Sequence, residues 1–187
     1  MRSTTKVLTA AALLVLASLA FMLAPSEERL QAPIEITVEM GETGTGRNIE
    51  ATVHSVRVAD VAKTDSFDPW TGETNGVWLI VDATVSSGVK PTLSRIWLTV
   101  DGVTYQASTR PKSESIDSKI VSPGVPLTGS VVFEVPLEVA QSSTPVRITF
   151  GAGSDARLDT VIVVPVHIDD LERERIAVMW ERKTGWP

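Results

Sequence analysis

Apolar side chains recur along this chain in two rhythms. From Val7 to Ala24 they run almost unbroken, VLTAAALLVLASLAFMLA, with no charge and no strong helix breaker. Alanine and leucine dominate, which predicts a helix, and at ~1.5 Å rise per residue the stretch is just long enough for a hydrocarbon core of ~30 Å. From Ile34 onward the period is two. Ile34, Ile36, Val38 and Met40 alternate with Glu35, Thr37 and Glu39, as in a strand with one buried face. The run IEATVHSVRVADVA alternates from Ile49, then shifts phase at His54-Ser55, which predicts a bulge near Ser55. Val77, Leu79, Val81, Ala83 and Val85 form the clearest strand pattern. Ile96 to Val100 leads into Asp101-Gly102, the signal of a two-residue hairpin in which both central residues take positive φ, and Val103 to Ala107 returns. Leu127 to Val135, Pro145 to Phe150 and Asp159 to Ile168 complete about eight strands, with Pro165 expected at an edge or bulge because it cannot donate to a ladder.

The intervening segments predict the organisation. Positions 1–25 form the apolar helix and 26–33 a polar, proline-flanked tether. The span 34–168 reads as an all-β, antiparallel sandwich, since short strands follow one another without amphipathic helices between them. Lys63 to Gly76 is rich in Asp, Pro, Gly and Asn and is expected to be a loop. Ser108 to Pro126 is expected to be a loop or irregular edge, with its turn at Pro123-Gly124. In the tail, 169–187, Asp169-Asp170-Leu171-Glu172 resembles a helix cap, and Glu172 to Lys183 is expected to form a short helix ended by Gly185.

GVWLIVDATV, then IWLTVDGVTY, then VSPGVPLTGSVVFEVP resembles the immunoglobulin-like extracellular domains of Gram-positive bacteria, including small secreted mycobacterial antigens. The resembling features are the strand Val77 to Val85, the Asp101-Gly102 hairpin followed by the aromatic Tyr105, and Pro123-Gly124 before Gly129 to Val135. The family's polar Asn after the first of these strands is replaced by Ser86-Ser87. The resemblance covers roughly Ile34 to Ile168 and implies an immunoglobulin-like sandwich and an exported location. It implies no catalytic residue.

Charge adds an orientation. Arg2 and Lys6 precede the apolar run and Glu27 and Glu28 follow it, so the positive-inside rule puts the N-terminus in the cytoplasm and everything after Pro25 outside. The same ingredients also fit a cleaved signal peptide, with a weak site at Ser18 and Ala20. Cutting there would leave Phe21, Met22 and Leu23 as an apolar stub, and the anchor is preferred. Either way the expected location is the cell membrane, single-pass, or secretion. Without Arg2 and Lys6, 15 of the 17 basic residues stand against 23 acids, a formal −8 beyond the apolar run. No basic footprint for nucleic acid or lipid headgroups is present. With 43% hydrophobic and 21% charged residues among 187, the chain has the apolar content for a core. The absence of cysteine excludes disulfides, thiolate metal sites and cysteine nucleophiles.

Candidate chemistry is sparse. Trp78, Ile80 and Trp97 lie on the alternate faces of strands whose other faces supply the core. Such an apolar surface is either a partner surface, since tryptophan is frequent at binding hot spots, or is covered by the tail carrying Ile176, Met179, Trp180 and Trp186. Trp78, Ile80, Trp97, Trp180 and Trp186 are therefore the candidate partner-binding residues, and Trp70 in the long loop is a candidate for stacking on a glycan or small ligand. Asp65, Asp68 and Glu73 share that loop, but their spacing matches no calcium motif. His54 and His167, without a carboxylate motif, make a poor zinc set. There is no Gly-x-Ser-x-Gly elbow and no phosphate-cradling glycine loop. The expectation is a non-enzymatic, cofactor-free domain that binds an envelope protein. The alternatives are a secreted glycan or small-ligand binder and an architectural subunit of a membrane complex.

Overall fold

Alternation of period two forces a sheet to bury one face, and here two sheets bury theirs against each other. The computed structural model describes residues 2–23, 31–66, 69–169 and 171–187. The chain divides into two compact units, Met1–Ala32 and Pro33–Pro187.

The first unit contains the helix α1, Arg2–Leu23, in line with the apolar composition. Among the described residues, no helix is long and apolar enough to cross a membrane. The side chains of Leu8, Ala10, Ala20 and Leu23, and all of Ala24, lie outside what is described.

The second unit is a β-sandwich. Its strands are β1 (Ile34–Thr37), β2 (Thr43–Thr45), β3 (Glu50–Thr64), β4 (Trp70–Ser86), β5 (Thr92–Val100), β6 (Val103–Gln106), β7 (Ile120–Val121), β8 (Leu127–Val135), β9 (Val146–Ala152), β10 (Thr160–Val166), β11 (Arg173–Val178) and β12 (Lys183–Thr184). Among the described residues, twelve strands thus replace the expected eight or so. A single helical turn, α2 (Leu137–Ala140), joins β8 to β9. One sheet has the order β1-β10-β9-β5-β6 with β7 paired to β5; the other has the order β11-β3-β4-β8-β12 with β2 paired to β3. Two pairs, β1 with β10 and β11 with β3, are parallel, which departs from the all-antiparallel expectation. In both pairs the added strand, β1 or β11, lies at a sheet edge and is far in sequence from its partner.

The interior is built by the alternating residues. Val77, Leu79, Val81, Ala83 and Val85 of β4, with Val131 and Phe133 of β8, meet Ile96 and Leu98 of β5, Ile148 and Phe150 of β9, and Ile162 and Val164 of β10. Asp101 and Gly102 both take positive φ, 49° and 77°, between Val100 and Val103, which pair. The register of β3 on β4 shifts between Val53 and Ser55, the expected bulge, and again between Ala59 and Val61. The Val125 amide donates to the Ser122 carbonyl across Pro123-Gly124, with Gly124 at φ 70°. Pro165 faces Arg147 of β9 on one side, and β1 has already ended on the other, so its missing N–H falls at a local edge.

Two expectations are corrected. The segment 63–76 is not a loop along its length: Thr64 pairs with Trp70, Lys63 with Thr71 and Ala62 with Gly72, so the pairing of β3 with β4 continues out to Thr64 and Trp70. Gly72 serves there as a seat for the Trp70 ring, which would clash with any Cβ at that position. The tail is not helical. Its residues form β11 and β12, because pairing with β3 and β8 lets Ala177 and Met179 alternate inward from Ile176 and Val178. Sheet-edge pairing outweighs the helix preference of the Glu and Arg residues.

Candidate functional site

The outer faces of the two sheets decide which candidate residues are accessible. On the second sheet, Trp78 and Ile80 of β4 and Val132 of β8 form a second apolar cluster with Ala59, Ala62, Ala177 and Met179. Trp78 and Ile80 are fully buried. The Trp78 indole N–H donates to the Gly72 carbonyl at 2.9 Å, Trp70 meets its ring edge-on with centroids 5.6 Å apart, and the Arg110 guanidinium lies over both rings. These two residues are corrected as partner contacts: Ala177 and Met179 of the tail pack into the cluster with them, and Trp70 and Arg110 lie on the Trp78 ring. Trp70 does not stand on a free loop either: it begins β4 next to the hairpin turn, half-buried, with its ring packed on Trp78.

The tail is tied down by a polar network beside this cluster. Asp82, fully buried, accepts hydrogen bonds from Ser55 Oγ (2.6 Å), Ser130 Oγ (2.5 Å) and Arg57 Nη2 (2.9 Å). Arg57 Nη2 also donates to the Val178 carbonyl at 2.9 Å, and the Trp180 amide donates to Ser130 Oγ at 2.7 Å. His54 Nε2 bonds Thr84 Oγ1 at 2.7 Å, Thr84 bonds Thr128, and Thr128 Oγ1 donates to the Gly185 carbonyl at 2.6 Å. Trp180 is half-buried, stacked on His54 with ring centroids 5.7 Å apart. Burial pushes the His54 imidazole below its ordinary value, against the raising pull of Asp82. Every buried side-chain polar atom described has a partner, as a charge inside a fold requires.

Among the described residues, the first sheet has no such cover over Trp97. This residue is half-buried and sits on the outer face between Arg95 and Thr99 of its own strand. Its ring lies over Gly151 of β9, where a Cβ would come within 2.9 Å of it. Trp97 separates two clefts. One, of about 240 Å³, is lined by Arg95, Thr104, Gln106, Gly153, Ser154 and Ala156. The other, of about 360 Å³, is lined by Pro33, Glu35, Thr99, Arg147, Thr149 and Val161. Both arginines are held by neighbours: Arg95 donates to Ser118 Oγ and Gln106 Oε1, and Arg147 donates to Glu35 Oε2 at 2.6 Å. An aromatic plate flanked by oriented guanidinium, amide and hydroxyl groups can bury apolar area and donate hydrogen bonds at once. Arg95 and Arg147 are not among the expected site residues. They share the outward parity of their strands with Trp97 and Thr149, and that parity was the available signal.

The remaining candidates separate. Trp186 is exposed near the end of the chain. Asp65 pairs with Lys63, Glu73 lies on β4, and Asp68 lies outside the described residues. Among the described residues, no group of three or more His, Asp or Glu could hold a metal. His167 is exposed, 3.9 Å from Asp169 and far along the chain from His54.

No family model matches the chain, and no curated protein matches it. It is similar to the crystal structure of an uncharacterized β-sandwich protein from Clostridium difficile 630, at 17% identity over 75% of this chain and 99% of that one, with a TM-score of 0.48.

Proposed function

We propose that the protein is an exported, N-terminally anchored, immunoglobulin-like β-sandwich that recognises a protein partner in the cell envelope without chemistry, with Trp97 at the centre of the contact. The observation that carries this reading is the contrast in surroundings: Trp78 is fully buried and Trp70 and Trp180 stack on Trp78 and His54, whereas Trp97 stands half-open between two clefts, with Arg95 and Arg147 already oriented. Tryptophan and arginine dominate binding energy in protein interfaces when ringed by polar groups. The anchor rests on the apolar sequence from Val7 to Ala24 counted whole, on the helical conformation of Arg2–Leu23, and on Arg2 and Lys6 before it. Cleavage after the apolar run is the alternative fate and would make the same domain a secreted one.

A photoreactive residue in place of Trp97, in intact cells, tests the reading against the same probe at Val103 on the hairpin. One discrete adduct at position 97, lost when Arg147→Ala is added, is the expected result. Equal labelling at both positions, or none, overturns it.

A second reading is supported by the clefts themselves: Gln106, Thr104, Ser154 and Thr149 beside an aromatic plate suit a saccharide stacked on Trp97. Saturable quenching of tryptophan fluorescence by envelope glycan fragments, absent in Trp97→Phe with Gln106→Ala, would favour it over a protein partner.

A further inference from the structure

Exposed apolar side chains are unevenly distributed over the sandwich. Of the exposed large hydrophobic residues in the second unit, Val89 (74% exposed), Ile120 (74%), Leu158 (60%), Ile34 (60%), Trp186 (57%) and Val125 (50%) share one end. The pairings place them together. Ile120 pairs with Leu93 at the start of β5, and Pro123, beside Val125, bridges to Ser87 in the segment that carries Val89. The Gly153 amide donates to the Leu93 carbonyl, which brings the Leu158 loop to the same edge, and Ile34 pairs with Thr160 just after that loop. The Gly185 amide donates to the Pro126 carbonyl, which brings Trp186 there too. The opposite end, with the Asp101-Gly102 hairpin, α2 and the far part of β3, exposes Val103 (52%), Ile176 (50%), Val178 (38%) and Leu137 (37%), fewer side chains and less open ones.

Two further observations say what this end meets. Leu158 takes φ 57°, a left-handed conformation that costs a leucine energy, so backbone strain accompanies its exposure. The domain as a whole is acidic and lacks a basic face, but locally Lys90 and Lys119 directly adjoin Val89 and Ile120, which sets an ammonium beside each of these apolar tips, the arrangement that suits the boundary between lipid headgroups and acyl chains. The acids nearby are engaged: Asp159 with Arg47 and Asp155 with Arg157. The chain also enters the sandwich here. Residues 24–33 separate α1 from Ile34, and ten residues span on the order of 35 Å even when fully extended.

We infer that this end of the sandwich is a lipid-docking surface, its apolar loop tips seated in the headgroup region of the membrane that holds the N-terminal segment. The inference rests on the anchored reading above. Docking would present the outer sheet faces, Trp97 included, to the side.

The chain contains no cysteine, so single cysteines report single positions. The full chain, carrying Leu158→Cys or Val89→Cys, or Val103→Cys at the far end, is labelled with an environment-sensitive fluorophore and reconstituted into phosphatidylcholine–phosphatidylglycerol vesicles containing a spin-labelled lipid. Flotation and quenching are then read together. The expected result is flotation of all three, with loss of fluorescence at positions 158 and 89 and none at 103. Adding Val125→Asp and Ile120→Asp should abolish the loss at 158 while flotation persists. A chain that floats without selective quenching overturns docking and leaves the anchor standing; a chain that does not float overturns the anchor and docking with it. A blue shift at 158 that grows with protein concentration in detergent, without lipid, overturns docking in favour of a second copy of this chain.

Discussion

Each sheet carries a tryptophan on its outward face, yet the two are treated differently. On β4, Trp78 has Ile80 two residues on, Val132 of β8 stands across from Ile80, and the tail packs Ala177 and Met179 against them. On β5, Trp97 has arginine and threonine neighbours and a glycine beneath its ring, and remains half-open. A tryptophan among aliphatic neighbours makes a patch that costs several kcal/mol to leave wet. A tryptophan among hydrogen-bonding side chains does not, and it can be kept for a partner. The presence of an outward tryptophan is therefore less informative than the two or three residues sharing its face.

Removing residues 173–187 should break the comparison most severely, because it bares Trp78, Ile80 and Val132 and strips Arg57 of the Val178 carbonyl. A loss of roughly 5 kcal/mol or more is comparable to the whole stability of a small domain. Thermal unfolding and light scattering should show a chain that aggregates; a melt unchanged from the full chain would mean that the cover is dispensable.

Next in size is Asp82→Ala. It leaves the Arg57 guanidinium without its carboxylate and frees Ser55 and Ser130, at a cost of about 3 kcal/mol, measurable as a lowered denaturant midpoint. Asp82→Asn should recover part of this.

Gly151→Val probes the open face instead. A side chain there displaces the Trp97 ring, with an overpacking cost of ~2 kcal/mol, and should abolish crosslinking at 97 while leaving the covered face intact.

Acidification should act on the covered face alone. The folded state holds His54 below its ordinary value of about 6.5, so the unfolded chain binds the extra proton first. The stabilisation is complete above pH ~6.5 and declines as pH falls below it. Trp180 fluorescence should follow that decline, and His54→Gln should flatten it. The smallest effect on stability, about 1 kcal/mol, is expected for Trp97→Ala, which should nevertheless remove partner binding.

Much of the sandwich was legible because parity is a strong signal where one face is buried. The inward sets of β4, β5 and β8, the phase shift at Ser55 and the Asp101-Gly102 turn all follow from local pattern. Gly72 and Gly76 misled, since glycines that suggest a turn stand here where another group approaches closely: the Trp70 ring over Gly72 and the Val135 carbonyl against Gly76. The tail misled because Glu and Arg favour helix locally, while Ile176 to Met179 alternate too briefly to outweigh them until β3 offers an edge. The short strands β2, β7 and β12 have no internal periodicity to read. At the open face, Trp97 was visible from its residue type, whereas Arg95 and Arg147 required the register of β5 on β9.

The placement of β11 has a consequence in time. Residues 173–187 leave the ribosome after β3, β4 and β8, the strands of the sheet they complete. Until they emerge, Trp78 and Ile80 face water on an otherwise assembled sheet. The nascent chain thus carries an adhesive flank up to that point, and a translation stop before residue 173 yields a product marked for chaperones or proteases by that flank.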